Sequence, residues 1–510
     1  MIANLYPHIP ILSVLIPLLA GPLALIGSRP AIAFGISWIG SALSLFCSIL
    51  LVFAVSDGTV ISYHIGGWAP PLGIEYRIDA ANALVLLIVS LISTIALPYG
   101  KKSIEREIAE KHHTLFFACY MLCFTGLMGV AATGDAFNVF VFLEISSLST
   151  YVLVALGAQR DQRALSAAYD YLILGTIGAT FFVIGLGMLY MATGTLNMVD
   201  LSNRISGIED SSMVQSAFAF IVIGLGLKIA IFPLHRWLPG AYSYAPSVVS
   251  AFLAATATKV AIYVLLRFTF SVFSPKIGFE QETIQFILLP VAVVAMFFGS
   301  IVAVFQNDFK KLLAYSSIAQ IGYMILGLGF LNATGLSATL VHMFNHAITK
   351  GALFMTVGIM VYSLGVSQIP RMAGMGRQMP WTSAAIVLGG LSLIGVPGTA
   401  GFVSKWILLL GAFEKGWWVV SILIVASSLL AVIYVWKVVE TLYLKPAINE
   451  GQASEAPLIM LVPTWILLAA VVWFGINAEF LIGVSETAAD ALLRGNFSSG
   501  GEVIFGGEGR

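Results

Sequence analysis

The fold is decided by residues 224–259, which read GLGLKIAIFPLHRWLPGAYSYAPSVVSAFLAATATK. Lys228 and Lys259 each lie inside an apolar run, and Pro233 interrupts the first of these runs. A charge at bilayer depth costs roughly 2.5–3.5 kcal/mol on insertion scales, and a proline inside a membrane helix frees a backbone carbonyl. Two lysines around a broken helix therefore indicate an ion path through a membrane. The alternative is a structural lysine that is paired to an acid.

The composition indicates an integral membrane protein. Of the 510 residues, 59% are hydrophobic and 10% are charged, whereas soluble domains carry about 25% charged residues. The formal net charge is zero, which gives nucleic-acid binding no electrostatic support. We find neither a glycine-rich nucleotide motif nor metal-ligand spacing, so we expect no cofactor and no metal site. Packing is the expected role of Cys47, Cys119 and Cys123, which lie in apolar runs.

Fourteen apolar segments predict fourteen transmembrane helices and hence an all-α polytopic fold. They run at about 8–27, 31–55, 79–100, 114–132, 136–157, 167–192, 213–235, 246–271, 283–306, 312–330, 334–363, 382–410, 417–443 and 457–477. Because no basic residue precedes the first segment, we interpret it as a retained span and not as a signal peptide. A turn between the seventh and eighth spans is predicted from Pro239, Gly240 and Pro246. The tail, 478–510, is expected outside the membrane after an amphipathic piece near 484–494.

The lysines and arginines predict the orientation. With the N-terminus outside, the inner connections hold fourteen of them and the outer ones seven, which favours both termini outside. Four of the 25 basic residues remain, and each falls inside a span: Lys228, Lys259, Lys350 and Lys405.

Glu144 is the acid that lies deepest in a predicted span, the fifth. One acid and several lysines suit a proton relay, because a buried lysine can exist in either charge state and an acidic neighbour changes the balance. The alternative is a static charge network that holds the helices together. Such a network would explain Glu144 with one lysine, but not three further lysines without acidic partners.

The eleventh span adds two histidines. His342, His346 and Lys350 are spaced i, i+4 and i+8, so they share one face of a helix. Histidine titrates nearest neutral pH and can pass a proton. Two histidines at this spacing can also bind zinc, but no glutamate follows the first of them as the protease motif requires. Hydrogen-bonded packing between spans is the other interpretation.

The twelfth span resembles the seventh, since Pro397, Gly398 and Gly401 precede Lys405. Two proline-interrupted helices in the two halves of a transporter indicate internal repeats with ion sites at the breaks. Spans four to eight are predicted to repeat as spans nine to thirteen, and repeats of five spans must be inverted in the membrane. The predicted units are an N-terminal segment, the two repeats, and a last span with its tail, over residues 1–113, 114–272, 273–444 and 445–510.

These residues resemble the antiporter-like subunits shared by respiratory complex I, membrane-bound hydrogenases and Mrp-type Na+/H+ antiporters. The resemblance covers Gly66 to about Leu444. It implies that Glu144, Lys228 and Lys259 form a proton path. The eleventh-span pattern H-x3-H-A-x2-K-x3-F matches His342, His346, Ala347, Lys350 and Phe354, and the twelfth-span pattern G-F-x2-K matches Gly401, Phe402 and Lys405.

Within this family, three features are similar to the D-type subunit of Mrp antiporters or its hydrogenase counterpart: the segments 66–84 and 232–246, and a lysine at position 405. The resemblance implies a proton-translocating subunit of a multi-subunit Na+/H+ antiporter, with other membrane subunits as partners, in a prokaryotic plasma membrane. His235, beside the break at Pro233, is a candidate gate.

Two rival functions stay open. The first is a proton- or ion-pumping membrane subunit of a complex I-like NADH dehydrogenase or a membrane-bound hydrogenase, driven by electron transfer in partner chains. In that case the chain would be part of an enzyme; otherwise we expect a transporter subunit without catalytic residues. The second is a structural scaffold whose charge network does not move.

Overall fold

The computed structural model describes residues 6–27, 29–274, 278–447, 454–494 and 501–506. Its α-helices are α1 (Ile9–Ile26), α2 (Pro30–Val55), α3 (Ala80–Glu107), α4 (His113–Ala132), α5 (Ala136–Ala155), α6 (Arg163–Thr193), α7 (Met198–Ile205), α8 (Ser212–Ile229), α9 (Trp237–Tyr244), α10 (Ser247–Ala255), α11 (Ala257–Leu266), α12 (Phe279–Thr283), α13 (Leu289–Phe305), α14 (Phe309–Gly329), α15 (Ala333–Leu364), α16 (Met375–Gln378), α17 (Pro380–Ile394), α18 (Ala400–Glu414), α19 (Trp418–Tyr443), α20 (Leu458–Ile476) and α21 (Glu479–Arg494). Two π-helical segments, Arg267–Val272 and Ile284–Leu288, continue α11 and precede α13. Short 3-10 turns occupy Tyr6–His8, Ile65–Gly67, Glu110–His112, Leu156–Gln159 and Ile369–Met372.

The long helices confirm the all-α polytopic fold. Thirteen helical segments among the described residues are long and apolar enough to cross a membrane. The twelfth predicted span consists instead of two shorter helices, α17 and α18, which together cover it. The chain is therefore a membrane protein with many spans.

The breaks lie where proline predicted them. In the seventh span α8 ends at Ile229, and Ala230 takes the left-handed conformation, four and three residues before Pro233. In the twelfth span α17 ends at Ile394, and α18 begins at Ala400 beyond Pro397. Proline disfavours the helical region for the residue before it, which fits helices that end ahead of Pro233 and Pro397.

The predicted turn at Pro239 and Gly240 is wrong, since both residues lie inside the short helix α9. The structure also has a break that was not predicted. Thr256 separates α10 from α11 in the middle of the eighth span, three residues before Lys259. Proline fits within the first turn of a helix, where its missing N–H would have no partner in any case. This explains how α9 accommodates Pro239 as its third residue.

A small sheet at one end of the bundle completes the architecture. Strand β1 (Val60–His64) pairs antiparallel with β2 (Glu75–Ile78) and parallel with β3 (Glu502–Phe505). Arg77 joins the two outer strands through a 2.8 Å ion pair with Glu502. The tail is thus more ordered than expected: α21 begins five residues before the predicted amphipathic piece, and β3 follows it, while residues 495–500 and 507–510 lie outside the described part of the chain.

A backbone bridge of the same kind, made of two hydrogen bonds, occurs at two places in the molecule. The first joins the loop before α5 to the loop after α6, and the second joins the loop before α14 to the loop after α15. In each, an aspartate that accepts from the helix N-terminus, Asp135 or Asp308, lies at the bridge. The bonds of 2.8–2.9 Å run from the amides of Ala136, Met198, Phe309 and Ile369 to the carbonyls of Leu196, Gly134, Ser367 and Asn307. This recurrence supports the internal repeat, whose boundaries stay a prediction.

Helix α15 lies at the centre of the bundle. Every residue from Gly335 to Val361 is buried, and the helix contacts α3, α10, α14, α17, α18, α20 and α21. A membrane helix that is buried all round can carry polar side chains, because protein groups rather than lipid surround them. The histidines of the eleventh span therefore face the interior of the protein.

Candidate functional site

An ion pair lies at the break of the seventh span. The Lys228 ammonium in the last turn of α8 is 3.2 Å from the Glu144 carboxylate of α5, and it donates to the Ser147 hydroxyl at 2.7 Å. The lysine side chain is only 6% exposed, whereas that of Glu144 is 24% exposed. The pair therefore joins a buried cation to an acid on the outer surface of this chain.

Aromatic side chains support the end of α8. Trp237 donates its indole N–H to the Leu227 carbonyl at 2.8 Å, and its ring stacks on Tyr171 at 4.0 Å. This carbonyl lies in the last turn of α8, where it also accepts a longer bond of 3.3 Å from the Ala230 amide. His235, the candidate gate, lies against the rings of Phe232 and Phe298, and its Nδ1 has no hydrogen-bond partner among the described residues.

Lys259 lies one turn beyond the break in the eighth span. Its ammonium donates to the Ala254 carbonyl at the end of α10 and is 3.4 Å from the Thr258 hydroxyl. The side chain is fully buried. The carbonyl end of a helix carries partial negative charge, so the break creates a binding place for this ammonium.

Lys350 is held differently, within unbroken helices. It is fully buried on α15 and donates to the Leu313 carbonyl at 2.7 Å and to the Ser316 hydroxyl, both on α14. Within the described part of the chain, Lys350 forms no ion pair with an acidic side chain. Its partners are thus a backbone carbonyl and a hydroxyl group, both neutral.

The two histidines stack on one face of α15, as their spacing predicts. Their rings are parallel with centroids 5.9 Å apart. His342 contacts the Ser404 hydroxyl at 2.7 Å through Nδ1 and the Gln320 side-chain oxygen at 2.9 Å through Nε2. Neither ring nitrogen of His346 has a hydrogen-bond partner within the described chain, although the ring is buried. A buried imidazole with two open nitrogens can accept and pass a proton.

Lys405 lies beyond the break in the twelfth span. Its ammonium reaches back to the Leu393 and Ile394 carbonyls, at 2.9 and 3.0 Å, at the end of α17. It also lies 4.9 Å from the centre of the Tyr323 ring. Pro397, the predicted break residue, is exposed on the surface of the chain.

The predicted residues are brought together in part. Glu144 contacts Lys228, and His342 stacks on His346, whereas the other members bind backbone carbonyls and hydroxyl groups. Lys259 lies within electrostatic reach of both histidines and of Lys350. The structure adds polar partners that the sequence did not indicate: Ser147, Ser316, Ser404, Gln320 and Tyr323. Ser316 and Gln320 are four residues apart and therefore share one face of α14, but this spacing alone does not select them from the sequence.

The chain was compared with known proteins. Residues 133–431, which include every predicted relay residue from Glu144 to Lys405, match the family described as "NADH:quinone oxidoreductase/Mrp antiporter, TM". The chain belongs to this family. Its resemblance to the antiporter-like subunits is therefore confirmed.

Individual family members match along almost the whole chain. The N-type subunit of the NADH-quinone oxidoreductase of Desulforudis audaxviator is 40% identical over 93% of this chain and 97% of its own length. The D-type subunit of the Na(+)/H(+) antiporter of Alkalihalophilus pseudofirmus is 29% identical over 95% and 97%. A protein of the Mrp complex from Dietzia has the same fold, with a TM-score of 0.87 and 24% identity over 97% of this chain and 98% of that chain. The chain is thus an antiporter-like membrane subunit of the Mrp or complex I-like type.

Proposed function

We propose that this chain is the proton-translocating subunit of a multi-subunit monovalent cation/H+ antiporter in a prokaryotic plasma membrane. The Glu144–Lys228 ion pair at the break of the seventh span is the observation that carries the proposal. A lysine that is stabilised by one acid changes its proton affinity when that acid moves or is neutralised. Since Glu144 lies partly exposed on the surface of this chain, a partner membrane subunit can act on it.

The proposed path follows the buried chain of basic groups inward from that pair. Lys228 passes the proton to Lys259, from which His346 and Lys350 take it towards the centre, and His342 hands it on to Lys405. Steps between residues without direct contact require water, for which the breaks at Pro233 and Pro397 provide free backbone groups. His235 is the proposed gate beside the first break. Sodium is the cation that we propose the complex exchanges for protons.

The test removes either member of the ion pair. We expect Glu144→Ala and Lys228→Ala to abolish translocation, because each leaves the remaining partner with a fixed charge state. Everted vesicles that hold the whole complex would report translocation through a pH-gradient dye, and blue-native gels would report assembly. Thr180→Ala, on the exposed face of α6, is the control for expression. Full translocation in either ion-pair variant would contradict the relay.

A second candidate function has its own support. The relative at 40% identity is named as a subunit of NADH-quinone oxidoreductase, so a redox-driven proton pump with the same relay is the alternative. The native complex purified through this chain distinguishes the two. Iron–sulfur absorbance with stoichiometric iron would identify the redox pump, whereas an iron-free complex whose proton gradient collapses on addition of sodium would identify the antiporter.

A further inference from the structure

Glu107 is a buried acid that the relay does not use. It is the last residue of α3 and is only 5% exposed. Its carboxylate accepts from the Ser103 hydroxyl at 2.6 Å and from Arg160 at 3.2 Å. These hydrogen bonds hold the carboxylate in one position.

The main partner of Glu107 is the beginning of helix α10. The Ser247 amide lies 3.1 and 3.2 Å from the two carboxylate oxygens, and the Ser247 hydroxyl donates at 3.1 Å. Free amides and the helix dipole make the start of a helix partially positive. Glu107 therefore places a negative charge where α10 favours one.

The other end of α10 binds Lys259. The helix has nine residues, and the Ala254 carbonyl near its end accepts from the Lys259 ammonium. The acid and the lysine thus lie at opposite ends of one fully buried helix, which is about 13 Å long. Helix α10 therefore links the partner of Glu107, Ser247, to the partner of Lys259, Ala254, through a single continuous element.

Solvent reaches Glu107 from one side. A cavity of about 230 Å³ is lined by Glu107, Arg160, Asp161 and Lys310. Lys310 is buried and donates to the Ala245 carbonyl at 3.0 Å, two residues before α10. The hydrogen bonds and charge of Arg163 hold the pKa of the Asp161 carboxyl below its usual range.

We propose that Glu107 is a positioning residue for proton transfer at Lys259, acting through helix α10, and this rests on the proposed function of the relay. The carboxylate fixes the start of α10 and favours the protonated amine at its far end. The groups that face Glu107 are Tyr99, Arg160 and Lys310, and those that face Lys259 are His342, His346 and Lys350. Among the described residues, none of the groups that face Lys259 is a carboxylate.

The test is the pH profile of Glu107→Gln in vesicles that contain the complete complex. Glutamine keeps an acceptor for Ser247 but removes the charge, so protonated Lys259 becomes less favourable. We expect the pH of half-maximal translocation to fall by about 0.5–1 unit, less than the shift of 1–3 units from a charge in direct contact. Glu107→Asp keeps the negative charge, so its pH profile is expected to match that of the unmodified chain.

Asp161→Asn is the matched control, because it removes a negative charge from the same cavity without touching α10. An unchanged profile in Glu107→Gln, or an equal shift in Asp161→Asn, would overturn the positioning role. Lys228→Ala in the same vesicles separates the two proposals. If that variant still translocates protons, the relay itself fails; if it is inactive while Glu107→Gln keeps the original profile, only the role of Glu107 fails.

Discussion

The two broken spans hold their lysines in different ways. At the first break Lys228 belongs to the helix that ends there, and it has an acid and a serine as partners. At the second break Lys405 belongs to the helix that begins beyond the break, and it binds two carbonyls of the helix before it. No acidic side chain among the described residues forms an ion pair with Lys405.

This difference separates an adjustable partner from a fixed one. A carboxylate can move or take up a proton, so the stabilisation of Lys228 can change during a transport cycle. Helix carbonyls keep their partial charge as long as the helix is intact. We therefore expect proton transfer to be controlled at the first break. At the second break, the environment of Lys405 is expected to stay constant.

The largest expected effect comes from arginine at the two lysine positions. Arginine does not release its proton in proteins, so Lys228→Arg and Lys405→Arg should each reduce translocation by at least about tenfold, the loss that about 1.4 kcal/mol of barrier represents. Assembly should differ, because Glu144 can pair with an arginine at 228, whereas position 405 offers two carbonyls and the Tyr323 ring but no acid. Dye quenching in vesicles and blue-native gels measure the two quantities. Equal assembly of both variants would contradict the comparison.

A smaller contrast comes from one glycine at each break. A Cβ on Gly401 would collide with the Ser392 carbonyl oxygen, and one on Gly226 would lie 3.3 Å from a Leu234 methyl group that can shift. We expect Gly401→Ala to destabilise the protein by about 1–3 kcal/mol or more, as overpacking does, and Gly226→Ala to have little effect. Thermal unfolding of the purified complex measures this. The reverse order would show that the second break is the more adaptable one.

The smallest effect is expected from single hydrogen bonds. Ser147→Ala removes one neutral partner of Lys228, which is worth about 0.5–1.5 kcal/mol, so the translocation rate should change by a few-fold. Tyr323→Phe keeps the ring beside Lys405 and loses only the hydroxyl contacts with Ser428 and the Ile424 carbonyl. Its rate should stay near that of the unmodified chain. Initial rates in vesicles test both, and a larger loss in Tyr323→Phe would place control at the second break instead.

Much of the fold could be predicted from sequence. Apolar length predicted the spans, and proline placed the breaks near Pro233 and Pro397. The break at Thr256 could not be found this way, because it lies in an apolar run without proline or glycine. The three-stranded sheet was also missed; its third strand comes from the opposite end of the sequence from the other two.

The candidate site was predicted less completely than the fold. Isolated charges in apolar runs pointed to each ionisable residue, because membrane burial makes charges rare. Their partners Ser147 and Gln320 are ordinary polar residues, and sequence gives no reason to select them. The carbonyls that bind Lys259 and Lys405 belong to the backbone, so they become visible only when the helix ends are located.

The unbroken helix α15 has a mechanical consequence. Its 32 residues form one rod that carries His342, His346 and Lys350 at a constant rise of about 1.5 Å per residue. The backbone positions of these three residues are therefore fixed relative to one another for as long as the helix stays intact. The interrupted helices on either side are the joints at which the backbone can turn. We therefore expect a rearrangement during a transport cycle to occur at the interrupted helices and to alter the approach of Lys228, Lys259 and Lys405 to helix α15.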